Sequence, residues 1–97
     1  MPRGTFEWRD FTVALRQEMI QGGLDEVTLA VAEILRRTGT SVALRRLQRP
    51  GYWNLCRNGN SVEWRTFQNY GLDIDFNVEE DGTVRFITFR VIQPALA

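Results

Sequence analysis

The sequence predicts an α+β fold in which two N-terminal helices pack on one face of a five-stranded antiparallel meander. Three observations carry that expectation. Apolar residues recur at three-to-four spacing as far as the Thr38-Gly39 region, the period falls to two beyond Gly39, and turn-forming pairs then punctuate the chain at nearly regular intervals. The 97 residues suit a single domain, residues 1–97. A chain of this size buries roughly 60–70% of its unfolded surface and has no material for a second core.

Helix one is expected to begin between Thr5 and Asp10 and to run to about Gln21. Trp8, Phe11, Leu15 and Met19 make one apolar stripe, and Gly22-Gly23 supplies the stop. Helix two has Asp25 to cap it, Glu26 in the positive first turn, and Val27, Val31, Ile34 and Leu35 as its stripe. Arg36 and Arg37 suit its last turn, and Gly39 suits the left-handed position that follows.

Pro50-Gly51, Asn58-Gly59, Gln68-Asn69-Tyr70-Gly71 and Asp81-Gly82 then read as turns between strands near 41–49, 52–57, 61–67, 71–79 and 83–92. A two-residue turn at Asn58-Gly59 sets Leu55 opposite Val62 and Trp53 opposite Trp64. One at Asp81-Gly82 sets Phe76 opposite Ile87, Ile74 opposite Phe89 and Leu72 opposite Val91. A three-residue loop, Gln68 to Tyr70, joins the two hairpins with their apolar residues on one side, where the helical stripes cover them.

The opposite face then carries rows of cross-strand neighbours. Arg49, Tyr52, Arg65, Asp73 and Arg90 form the first row, Leu47, Asn54, Glu63, Asp75 and Thr88 the second, and Arg45, Cys56, Ser61, Asn77 and Phe86 the third. Alternating charge in the first row stabilises a sheet by about 0.2–1 kcal/mol per pair. Glu63 opposite Asp75 costs energy unless a cation or a guanidinium neutralises the pair. The candidate binding site is therefore a shallow polar surface made of Tyr52, Asn54, Glu63, Arg65, Asp73, Asp75 and Arg90. Phe86, Val84 and Ile92, with the tail Pro94-Ala95-Leu96-Ala97, offer a modest apolar patch beside it.

Composition narrows the chemistry. The chain has no histidine, and all twelve of its basic residues are arginine. The commonest general base, the commonest metal ligand and Schiff-base chemistry are absent with them. Cys56 is the single cysteine, with no thiolate partner and no histidine or lysine to activate it. No metal site and no cofactor are expected. No apolar run is long enough to span a membrane and the N-terminus lacks the charged-then-apolar order of a signal peptide, so a cytoplasmic protein without membrane contact is expected.

Charge is segregated along the chain. Residues 1–35 hold three arginines and six acids, residues 36–65 seven arginines and Glu63 alone, and residues 66–97 two arginines and five acids. Such segregation serves either recognition or self-neutralisation between neighbouring strands. The expected function is a non-catalytic binding module that holds a protein partner, or a second copy of itself as a homodimer. It would do so through the polar sheet face or through an arginine-rich edge strand bearing Arg45, Arg46 and Arg49. The alternative is nucleic-acid binding by Arg45, Arg46, Arg49, Arg57 and Arg65, with Tyr52 stacking on a base. A third reading rests on element order: two helices before antiparallel strands resembles in outline the small endoribonuclease toxins of toxin–antitoxin pairs. That resemblance implies RNA cleavage by arginine and tyrosine, with Arg65 and Arg90 at the cut.

Overall fold

The computed structural model describes residues 3–57 and 62–93. Helix α1 (Arg3–Gln21) forms around the expected stripe, and Trp8, Phe11, Leu15 and Met19 are all buried. It ends in a Schellman motif: Leu24 N–H donates to Met19 O at 2.8 Å and Gly23 N–H to Ile20 O at 3.1 Å, with Gly23 at φ 70°.

The next segment departs from the expected single helix. Glu26–Ala30 is strand β1, and only Val31–Thr38 is helical, as α2. Val27-Thr28-Leu29 alternates and is rich in β-branched side chains, so it serves as a strand once a partner strand exists. Asp25 therefore caps no helix. Ala30 stands at the N-cap without a side-chain hydrogen bond. The first helical N–H, on Val31, donates instead to Arg85 O at 2.9 Å, and the sheet does the capping. Gly39 closes α2 at φ 65°, its N–H bonded to Leu35 O, in the left-handed position expected of it.

Where three strands were expected, α3 (Leu44–Leu47), α4 (Pro50–Arg57) and α5 (Val62–Asn69) occur instead. The five-stranded meander is corrected to three strands: β1, β2 (Leu72–Phe76) and β3 (Phe86–Val91), antiparallel in the order β1-β3-β2. Pro50 opens a helix, a position in which its missing N–H costs nothing. Trp53, expected on the sheet, is a fully buried residue of α4, and its Nε1 donates to Leu47 O at 2.6 Å. Phe67, on α5, is likewise fully buried. The Asn58-Gly59 turn and the tail 94–97 lie outside the described residues, as do the side chains of Leu55, Cys56, Arg57, Val62, Glu63 and Trp64.

The last hairpin keeps its expected register. Leu72 faces Val91, Ile74 faces Phe89 and Phe76 faces Ile87. The strands stop short of Asp81-Gly82, however, so a nine-residue connection replaces the two-residue turn. Val84, expected on the outer face, folds back from that connection into the core and is fully buried. On the other side of β3, Val27 faces Phe89 and Leu29 faces Ile87. Leu72, Ile74, Ile87 and Phe89 point into one cluster with Trp8, Phe11, Ile34, Leu47, Trp53 and Phe67, so the helices cover one face of the sheet.

Candidate functional site

The other sheet face is the candidate site, and strand alternation decides what it displays. Because β3 is central, its outward residues Arg90 and Thr88 have neighbours on both sides. Arg90 lies between Glu26 and Asp73, Thr88 lies between Thr28 and Asp75, and Phe86 faces Ala30.

Hydrogen bonds hold this surface in place. The Arg90 guanidinium donates to Glu26 Oε2 from Nε at 3.2 Å and from Nη2 at 3.0 Å. The Thr28 and Thr88 hydroxyls are 2.9 Å apart. Asp73 Oδ1 accepts from Gln68 Nε2 at 3.1 Å, and Asp75 Oδ1 accepts from the Phe76 N–H at 2.9 Å. Phe86 is 52% exposed at the start of the central strand. A hollow of about 280 Å³ opens beside it, with Thr28, Asp75, Asn77, Glu79 and Thr88 among its walls. Glu26, Asp73 and Asp75 outnumber the one guanidinium, Arg90, so the face is net acidic.

Of the seven site residues expected from sequence, the fold gathers Asp73, Asp75 and Arg90 here. Asp73 faces Arg90 and Asp75 faces Thr88, as the strand alignment required. Tyr52 and Asn54 belong to α4 and Arg65 to α5, on the helices rather than on the strands. Tyr52 packs on Trp53 with ring centroids 5.1 Å apart, and the Arg46 guanidinium lies 5.9 Å from its ring centre. Glu63 is in α5, so the carboxylate pair with Asp75 across neighbouring strands does not exist as a strand pairing.

Arg45 and Arg46 are on α3 and Arg49 follows it; all three are exposed, and the edge strand expected to carry them is a helix. The toxin resemblance falls with the element order on which it rested. Glu26 and Thr28 were missed as site residues because Val27 and Val31 also fit a helical stripe. The Val-Thr-Leu alternation was the available signal.

A larger groove, about 570 Å³, runs between α1 and Tyr70. Its cation is already engaged, with Arg16 Nε donating to Gly71 O at 3.1 Å and Nη2 to Ile92 O at 3.3 Å. Val13 and Ile20, both exposed, line it together with Gln17, Gln21, Asn69 and Tyr70. Beyond Arg16 its polar groups are uncharged, whereas the sheet face carries Glu26, Asp73, Asp75 and Arg90. Among the described residues no three metal-ligating side chains come together, and no helix is long and apolar enough to cross a membrane. Compared with protein-family models, curated proteins and solved structures, the chain matches none.

Proposed function

We propose that the chain is a protein-binding module whose open sheet face receives a basic protein segment with an apolar side chain at its centre. The observation that carries this reading is Phe86, half-exposed at the start of the central strand, with the hydrogen-bonded Thr28–Thr88 pair next to it and the Glu26–Arg90 pair further along the same face. An exposed aromatic set beside hydrogen-bonded polar groups suits an apolar anchor with a polar rim, the anatomy of an interaction hot spot. The acidic excess of the face selects a partner of opposite sign and speeds its approach.

The test uses a synthetic peptide of alternating arginine and leucine, and a control peptide with glutamate in place of arginine, titrated into isotopically labelled protein. The arginine peptide is expected to shift the amides of Thr28, Asp75, Phe86 and Thr88, and the glutamate peptide to leave them in place. Phe86→Ala is expected to weaken binding roughly 30-fold, the equivalent of a loss of about 2 kcal/mol. Equal response to both peptides overturns the reading. So does a single-stranded oligonucleotide that binds through Arg45, Arg46 and Arg49 while the sheet face stays silent.

A further inference from the structure

We infer that strand β1 is a docking edge for a second copy of the chain, the two β1 strands pairing antiparallel about Thr28 to make one six-stranded sheet. The inference is independent of the sheet-face reading, because it uses the backbone edge rather than the outward side chains.

The hydrogen-bond ladder decides which groups are free. Val91 N–H donates to Asp25 O and Val31 N–H to Arg85 O, both at 2.9 Å, so odd-numbered residues of β1 bond to β3. Residues 26, 28 and 30 therefore turn their N–H and C=O groups away from β3, and no strand among the described residues lies on that side. Unpaired edge groups of this kind are a template for another strand.

The opposite edge of the sheet, on β2, is treated differently. Gln68 Nε2 approaches Leu72 O at 3.5 Å, and the Phe76 N–H is taken by the Asp75 carboxylate at 2.9 Å. Leu72 and Ile74 are buried there, whereas Val27 and Leu29 on β1 are only half-buried. On β2 the Leu72 C=O and the Phe76 N–H are met by side chains, whereas on β1, among the described residues, none of the outward groups of residues 26, 28 and 30 is.

The occupant follows from self-complementarity. With Thr28 on the two-fold axis, Glu26 faces Ala30 of the second copy, and no like charges meet. Val27 faces Leu29 of the second copy, so the two half-buried side chains cover each other and the apolar layer continues across the seam. On the outer face the Thr28–Thr88 pair meets its own copy, extending a row of hydroxyls.

Two substitutions test this, each read by sedimentation velocity over a range of concentrations. In Thr28→Pro the lost N–H is one that β3 does not use, which is the position a sheet tolerates for proline. Thr28→Lys keeps the backbone but sets two ammonium groups against each other on the axis. The unmodified chain is expected to sediment with twice the mass of one chain, and both variants as monomers with unchanged tryptophan fluorescence. If Thr28→Pro unfolds, Thr28→Lys decides alone. An unmodified chain that stays monomeric at every concentration overturns the inference. So does a dimer that survives Thr28→Lys, including one that dissociates instead in Phe86→Ala and therefore lies on the sheet face.

Discussion

Gly71 shows how one residue ties the N-terminal helix to the last hairpin. Its φ is 92°, and a Cβ there would stand 2.4 Å from Arg16 Nε and 2.9 Å from Arg16 Cδ. An exposed arginine would swing aside at little cost. This one is held by Gly71 O and Ile92 O, at 3.1 and 3.3 Å, so moving it breaks the bonds that fasten α1 to the end of the β2–β3 pair where β2 begins and β3 finishes. Gly71→Ala is expected to destabilise the protein by about 1–3 kcal/mol, from left-handed strain and the displaced guanidinium together. A double-mutant cycle in denaturant separates the two. In an Arg16→Ala background the same glycine substitution should cost less; an undiminished cost would assign all of it to the backbone.

At the scale of elements, legibility follows how far each segment depends on its neighbours. The α1 stripe, Trp8 to Met19, spans about three turns, long enough for its period to be unambiguous. The β2–β3 pairing was readable because alternation on both strands leaves one register that keeps Leu72, Ile74, Ile87 and Phe89 on the same side. Residues 44–69 were not readable in this way. α4 and α5 have eight residues each and α3 four, too few for period to separate helix from strand. Pro50-Gly51 fits a hairpin turn and a helix start equally well. Burial of Leu47, Trp53 and Phe67 decides the matter, and that is a tertiary fact. The same ambiguity hid β1 and left the candidate site half legible. Its Asp73, Asp75 and Arg90 followed from the hairpin register, while Glu26 and Thr28 required knowledge of a strand that only β3 stabilises.

The connection between β2 and β3 also carries a pH dependence of its own. Asp81 Oδ1 accepts from the Thr83 hydroxyl at 2.6 Å and from the Thr83 N–H at 3.0 Å, and Oδ2 accepts from Arg85 at 3.0 Å. These bonds, with Thr83 the larger influence and Arg85 the lesser, hold the Asp81 pKa down at about 2. A depressed carboxyl pKa favours the folded state fully above the unfolded value near 3.9, and the benefit fades as pH falls from there through about 2. Thermal melts from neutral pH to pH 2 should therefore show the unmodified chain losing more of its melting temperature than Asp81→Asn. Parallel losses in both proteins would show that the connection does not hold Asp81 in this way.

Over the whole molecule, one aromatic chain joins elements far apart in sequence. Trp8 meets Phe11, Trp53 and Phe67 edge-on at centroid distances of 6.0, 6.4 and 5.7 Å. Phe11 and Phe67 in turn meet Phe89 at 5.6 and 5.7 Å. The contacts run from α1 to α4, α5 and β3, so the short helices, too short to persist in water by themselves, are stable only while α1 and the sheet are in place. Trp8 is 1% exposed, and truncation to alanine is expected to cost about 3–5 kcal/mol. Against a total of about 5–15 kcal/mol, that leaves little margin. The loss should be shared by every element, because none has a core of its own. Far-UV circular dichroism and tryptophan fluorescence should thus trace the same denaturant midpoint in Trp8→Ala as they do in the unmodified chain, only lower. A variant that loses its fluorescence change first and keeps its helical signal would show that α1 holds together apart from the rest, and the aromatic chain would then not be what unites the fold.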